Sequence, residues 1–102
     1  MTRASIAING ATLSIAGVLD FESVLDIDAH GQQWLVSVAP AQCEVDLAAV
    51  TYSSSVGIAL LLGWMRAAQK VAKSVVIKNI PADMLALASV SGLDAVLTAS
   101  HA

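Results

Sequence analysis

The chain has 102 residues, of which 57% are apolar, and its formal net charge is −3. This length predicts one domain over residues 1–102, with a hydrophobic core large enough to fold without a disulfide or a structural metal. Because Cys43 is the single cysteine, an internal disulfide is excluded, and the acidic balance argues against nucleic-acid binding. Apolar residues exceed the usual ~45–50%, so we expect some apolar surface to face a partner.

The chain begins with a pattern typical of a hairpin. Residues 4–9 and 12–16 alternate between polar and apolar side chains, which indicates two strands with one buried face. Asn9 and Gly10 between them are a strong hairpin signal. Gly17 is expected to end the second strand.

A helix is predicted after this hairpin. Asp20 can cap it, and it ends either near Gly31 or near Leu35, since glycine is a common stop signal. Its residues at helical spacing are Phe21, Val24, Leu25, Asp28 and Gln32.

The second half alternates between strands and helices. We expect strands at 43–47 and 73–80, a long helix between them that ends near Ala72, and a helix over 81–90. Residues 93–97 fit either a last strand or a helical turn. The alternation predicts a small α/β sandwich with parallel strand pairs, in which helices cover both faces of the sheet.

Three consecutive serines, Ser53, Ser54 and Ser55, precede the long helix. One must cap it, and Ser53 or Ser54 would serve. The others are either bystanders or place an exposed hydroxyl at a helix N-terminus. That position favours anions, and a phosphate there could switch an interface.

The helix itself carries no charge from Val56 to Met65. A helix that is apolar on every side is buried on every side, so we expect the sheet on one side and a helix or another protein on the other. The run is too short for a membrane span, which takes about 20 residues. Trp64 and Trp34 are candidate anchors for a partner, with core packing as the alternative.

The sequence gives little support for catalysis. Carboxylates for a small enzyme could come from Asp20, Glu22, Asp26 and Asp28. Acids at such spacing usually form a solvated helix face, and Ser55 has no evident general base. Cys43 is interpreted as a buried apolar residue. We therefore expect no cofactor, no metal and no enzymatic activity.

Most of the cations fall within one short window: Arg66, Lys70, Lys73 and Lys78. They are interpreted as a solvated face rather than a binding patch. The N-terminus lacks a signal-peptide core, so the chain is expected to be cytoplasmic.

The segment DLAAVTYSSSVGIALLLGWMRAAQK, which begins at Asp46, resembles the signature of STAS domains, the sulfate-transporter and anti-sigma-factor-antagonist family. Asp46 and Leu47 match the start of that signature, and Gly57 and Ile58 match its Gly-Leu end. Ser55 falls where the family carries its phosphorylatable Ser or Thr. The resemblance implies the STAS fold, a mixed four- to five-stranded sheet flanked by helices.

The segment over 73–97 also resembles the family, so the likeness extends over about residues 4 to 98. The serine-rich motif is similar to the corresponding sequence of the small cytosolic STAS subunit of Mla-type phospholipid ABC transporters. This implies a non-catalytic subunit, associated with the inner membrane through the complex, that binds the ABC ATPase and supports outer-membrane lipid asymmetry. Residues implied at or beside the contact are Ser53, Ser54, Ser55, Val56, Gly57 and Trp64.

The alternative within the family is an anti-sigma factor antagonist regulated by phosphorylation of Ser55. The acid that precedes the phosphosite in that class is Ser54 here, and Val56 stands where a small residue is usual. The missing acid favours the transporter interpretation.

Overall fold

The computed structural model describes residues 3–98, in which strands and helices alternate as the sequence predicts. The elements in chain order are β1 (Ser5–Asn9), β2 (Thr12–Leu19), α1 (Val24–Ser37), β3 (Gln42–Ser53), α2 (Ser55–Lys70), β4 (Ser74–Lys78), α3 (Ala82–Val90) and α4 (Asp94–Thr98). The last apolar segment is thus a helix and not a strand.

The hairpin of β1 and β2 is antiparallel and turns at Gly10, whose φ of 62° suits glycine. The expectation that Gly17 ends β2 is wrong, because the strand continues to Leu19. Gly17 has a φ of 94°, and the register with β3 shifts between Gly17 and Val18. Gly17 therefore lies beside an irregularity in the pairing, where β3 has one extra residue opposite β2, and β2 continues past it.

The four strands form one mixed sheet in the order β1-β2-β3-β4. β3 pairs in parallel with both β2 and β4. The predicted strands at 43–47 and 74–78 are therefore neighbours in the same sheet. β3 is much longer than predicted, since its second half pairs with the second half of β2.

The expectation that helices cover both faces of the sheet is not met. Buried residues of α1, α2, α3 and α4 form one cluster with a single sheet face. On the other face Glu44 accepts a hydrogen bond from Thr12 and pairs with Lys78 at 2.6 Å, while Asn79 donates to Asp46. Polar side chains that pair with each other and with water need no covering layer.

The helices begin and end near the predicted positions. α1 continues through Gly31 to Ser37, which agrees with the second of its two predicted ends, near Leu35, so Gly31 is not a stop signal. α3 follows Pro81 and ends before Gly92, whose φ is 73°. Within residues 3–98, no helix combines the length and the apolar character that a membrane span requires.

Candidate functional site

The serine corner, defined as Ser53, Ser54 and Ser55, is the junction between β3 and α2. The Ser54 N–H donates to the carbonyl of Leu19 at 2.9 Å, so the ends of β2 and β3 meet here. These are the carboxyl ends of parallel strands. Ligands of open α/β sheets usually bind at this edge.

The three serines have three different roles. Ser53 is 5% exposed and donates to the carbonyl of Ser54 at 2.9 Å. Ser54 is the N-cap, and its Oγ accepts from the N–H of Val56 at 3.3 Å. Ser55 is the first residue of α2 and is exposed to solvent. The sequence predicted a cap at Ser53 or Ser54 and left open whether another serine exposes its hydroxyl; in the structure the cap is Ser54 and the exposed serine is Ser55.

Gly57 closes the corner from the inside. A Cβ at this position would overlap Ser53 Oγ and would lie 3.2 Å from Leu19 Cδ1 and from Met84 Cε. The missing side chain lets β2, β3 and α3 come together around the first turn of α2. Gly57 is therefore a packing residue of the corner and not a surface that a partner can touch, since it is buried.

Large apolar side chains are exposed at the same end of the sheet. Phe21 and Leu25 are 72% and 70% exposed, and Tyr52 is 56% exposed. Phe21 lies two residues beyond the end of β2, and Tyr52 pairs in register with Val18 near the end of that strand. We name Phe21, Leu25 and Tyr52 the corner apolar residues. Val38 and Val90, elsewhere on the molecule, are 71% and 88% exposed, so exposure alone does not single out this end. Together with the serine corner, the corner apolar residues make it a candidate interaction surface.

The structure places Trp64 in the core and not at a surface. Trp64 is 1% exposed, and Trp34 is 5% exposed. The Trp64 indole N–H donates to the carbonyl oxygen of Asp28 at 3.2 Å and to its Oδ1 at 2.9 Å. The expectation that Trp64 anchors a partner therefore fails as a direct contact, and core packing is its role.

The exposed strip of α2 differs from the expected apolar surface. The large side chains of the run, such as Leu61, are buried between the sheet and the neighbouring helices. The exposed positions of α2 are Ser55, Ala59, Gly63, Arg66, Gln69 and Lys70. Most of the apolar side chains of α2 are thus covered within the molecule, and within the uncharged run the exposed residues are the small Ala59 and Gly63.

The four carboxylates considered for catalysis all have structural partners. Asp20 Oδ1 accepts from the Ser23 N–H and Ser23 Oγ accepts from the Asp20 N–H, each at 2.9 Å. This reciprocal pair has the pattern of a capping box and closes the turn that leads into α1, whose N-cap residue is Ser23. Its hydrogen bonds lower the pKa of Asp20. Arg3 pairs with Asp26 at 2.7 Å and with Glu22 at 4.0 Å. The fourth carboxylate, on Asp28, accepts from the indole of Trp64, as described above.

Cys43 is 2% exposed, and burial raises the pKa of its thiol. A buried protonated thiol is a poor nucleophile, in agreement with the interpretation of Cys43 as an apolar core residue. Within residues 3–98, no three His, Cys, Asp or Glu side chains are grouped closely enough to hold a metal ion.

Sequence reasoning found the serine corner but missed the corner apolar residues. Helical spacing placed Phe21 and Leu25 together with Val24, yet only Val24 is buried. A usable signal was present. Phe21 directly follows the capping residue Asp20. The helix has not yet begun there, so helical spacing does not decide whether this side chain faces the core.

The comparisons with known proteins agree with this architecture. A family model described as "Mlab, STAS domain" matches residues 2–98. Among curated proteins, no significant match is found.

Three solved structures share the fold. The Bacillus cell fate determinant SpoIIAA in its phosphorylated form is 26% identical, with a TM-score of 0.65, and the alignment covers 88% of this chain and 84% of that one. The anti-sigma factor antagonist SpoIIAA in its unphosphorylated form is 23% identical, with a TM-score of 0.63 and coverages of 82% and 79%. An anti-sigma factor antagonist from Mycobacterium paratuberculosis is 20% identical, with a TM-score of 0.66 and coverages of 91% and 80%.

Proposed function

This chain belongs to the STAS domain family, and from that membership we propose that it is a non-catalytic subunit that binds the ATPase of an ABC phospholipid transporter. In this role it supports the assembly and activity of a complex that maintains outer-membrane lipid asymmetry. It acts at the cytoplasmic side of the inner membrane, through the transporter and without a span of its own.

The observation that carries the proposal is the combination of the serine corner with the corner apolar residues. Ser55 is exposed at the start of α2, and Phe21, Leu25 and Tyr52 are exposed at the same end of the sheet. No acid lies in the first turn of α2. Apolar side chains around a small hydroxyl suit close contact with another protein, because aromatic groups are the side chains that interfaces favour.

The transporter role is supported over other STAS roles by two features. The matching family model carries the Mlab description. The residue before Ser55 is the N-cap Ser54 and not the acid expected in kinase-regulated antagonists. Without that acid, the corner lacks a group that helps define the kinase-regulated class.

A second candidate is an anti-sigma factor antagonist switched by phosphorylation of Ser55. The observation that favours it is the similarity to solved antagonists, one of them in a phosphorylated form. Under this function, a phosphate on Ser55 would lie at a helix N-terminus, where the dipole tolerates negative charge.

One experiment separates the two candidates. The tagged full chain is purified from its native host, and the co-purifying proteins are identified by mass spectrometry. Each candidate partner is then produced alone and its affinity measured by calorimetry. An ABC ATPase that binds with micromolar or better affinity supports the transporter role. A chain that binds a sigma-regulating kinase and no ABC ATPase contradicts it.

A further inference from the structure

A groove of about 390 Å³ lies between α1 and α2, toward the carboxyl ends of both helices. Val36 and Val71 give it apolar walls and are 37% and 40% exposed. Arg66 and Lys70 line the same groove, and none of the described residues that line it is acidic. The groove therefore has apolar walls and carries positively charged side chains.

The cations of this groove are not used inside the molecule. No ion pair among the described residues involves Arg66 or Lys70. Lys73 adds a third positive charge beside them, because its Nζ donates to the carbonyl of Val36 at 3.2 Å. The chain as a whole has a net charge of −3, but the surface around these three cations is positive. Such a positive surface attracts an acidic group.

Gly63 lines the groove, and nothing in the core requires it to be glycine. A Cβ at Gly63 would meet no heavy atom within 4 Å, whereas a Cβ at Gly31 or Gly57 would overlap a neighbouring side chain. Glycine inside a helix lowers helix stability relative to alanine. Gly63 therefore keeps the groove open instead of fitting the core.

We propose that this groove binds an acidic amphipathic segment of a partner protein. An aliphatic side chain of that segment enters between Val36 and Val71, and its carboxylates meet Arg66 and Lys70. Guanidinium and carboxylate groups match in geometry and charge, and amphipathic helices commonly dock with their apolar side chains in such grooves. A bilayer fits less well, because membrane binding needs projecting apolar side chains that insert between lipids.

This surface is separate from the serine corner. The helix from Ser55 to Arg66 is about 16 Å long, at ~1.5 Å of rise per residue. The proposal does not depend on the ATPase assignment, since it names only the chemistry of the segment that binds.

The test uses the full chain labelled with ¹⁵N and two synthetic probes. The first probe is a short alanine-based helical peptide with a leucine stripe flanked by glutamates. The second has glutamine at each glutamate position. We expect saturable amide shifts in and around Gly63, Arg66 and Val71, and roughly tenfold tighter binding of the glutamate peptide, a difference that shrinks as salt is raised.

Variants of the groove make the result specific. Arg66→Gln combined with Lys70→Gln should remove the roughly tenfold preference. The melting temperature should fall only slightly, because, among the described residues, the single stabilising interaction lost is that of Lys70 with the C-terminal end of the α2 dipole. Gly63→Leu should abolish binding of both peptides by filling the groove, whereas Gly63→Ala, which adds one methyl group to open space, should retain it.

Several outcomes would overturn the proposal. They are the absence of saturable shifts at millimolar glutamate peptide, equal affinity of the two peptides for the unmodified chain, or shifts that map outside the groove. Retention of the chain on phosphatidylglycerol vesicles, with no response to the peptide, would identify a membrane contact in place of a protein partner.

Discussion

Gly31 of α1 packs directly against the indole ring of Trp64 in α2. A Cβ at Gly31 would overlap the ring, with Trp64 Cε2 only 2.9 Å away. Asp28, about one turn earlier in α1, accepts the indole N–H through its carbonyl oxygen at 3.2 Å and its Oδ1 at 2.9 Å. A single helix thus supplies both the space for the ring and the acceptors for its N–H, so that Trp64 is buried without an unsatisfied donor.

The first prediction compares two glycine substitutions. Gly31→Ala should lower the free energy of unfolding by about 1–3 kcal/mol, because overpacking outweighs the gain in helix propensity. Gly63→Ala, the matched control, should raise it by up to about 1 kcal/mol, because the new methyl group meets open space. Urea denaturation followed by circular dichroism measures both. Equal shifts of the two variants in one direction would contradict the packing of Gly31 against Trp64.

The second prediction separates stability from binding at Trp64. Trp64→Phe keeps an aromatic ring but loses the indole N–H and part of the volume, so we expect a loss of about 2 kcal/mol in the free energy of unfolding. Affinity for the partner should stay unchanged at temperatures where the variant is folded, since Trp64 is 1% exposed. A loss of affinity in a fully folded variant would show that Trp64 shapes the interface.

The glycines show where sequence reasoning reached its limit. A glycine in a helical or strand pattern can end the element, bend it or make room for a neighbour. Gly92 follows the end of α3, but Gly17 lies inside β2 at a shift of its register with β3, and Gly31 makes room for a tryptophan. The choice depends on a residue distant in sequence, such as Trp64 for Gly31. Local patterns carry no information about that neighbour.

The candidate site was predictable in the same uneven way. Capping chemistry is local, so a cap at Ser53 or Ser54 could be predicted from the residues around it, but the choice of Ser54 depends on where β3 ends. The exposure of Tyr52 follows from the register of β3 with β2. Bulges near Gly17 shift this register. The exposure of Phe21 depends on how the capping box of Asp20 orients the first turn of α1. Neither feature follows from apolar periodicity alone.

The third prediction concerns pH. Hydrogen bonds lower the pKa values of three surface carboxylates. The pKa of Asp20 is lowered by hydrogen bonds from Ser23. The pKa of Glu44 is lowered by hydrogen bonds from Lys78 and then Thr12, and the pKa of Asp46 is lowered by hydrogen bonds from Asn79 and then Ala48. A folded pKa below the unfolded value of ~4 means that the unfolded chain binds more protons in acid. Their stabilisation is therefore complete above about pH 5 and is lost as the pH falls through the folded values.

Thermal melts between pH 7 and pH 2.5 should show this decline. In Asp46→Asn the amide oxygen can still accept from Asn79 and Ala48, so the variant should lose less stability on acidification than the unmodified chain. An Asp46→Asn profile that parallels the unmodified chain at every pH would remove Asp46 from this explanation.

The fourth prediction tests the division of roles among the serines. Ser54→Ala removes the oxygen that accepts the Val56 N–H and should cost about 1 kcal/mol in the free energy of unfolding. Ser55→Ala is the control, because Ser55 is exposed and is not the cap, and it should change stability by less than ~0.5 kcal/mol. The reverse order of the two effects would move the cap to Ser55.

The fifth prediction places a charge on the serine corner. Ser55→Asp adds an acid to the first turn of α2, where the helix dipole stabilises it by about 0.3–1 kcal/mol, so the domain should fold as before. In a complex with the ABC ATPase the same carboxylate would lie near the corner apolar residues. An unpaired charge that loses its water there should weaken binding by at least tenfold, since such burial costs about 3–5 kcal/mol when no partner charge is present.

Ser55→Asn is the matched control for this substitution, because it adds similar bulk without charge. We expect Ser55→Asn to bind more tightly than Ser55→Asp when both affinities are measured by calorimetry with the purified ATPase. Equal weakening by both variants would point to bulk and not to desolvated charge. If Ser55→Asp melts like the unmodified chain and binds the ATPase with the same affinity, the contact lies elsewhere. The three serines then serve only to close and cap the start of α2.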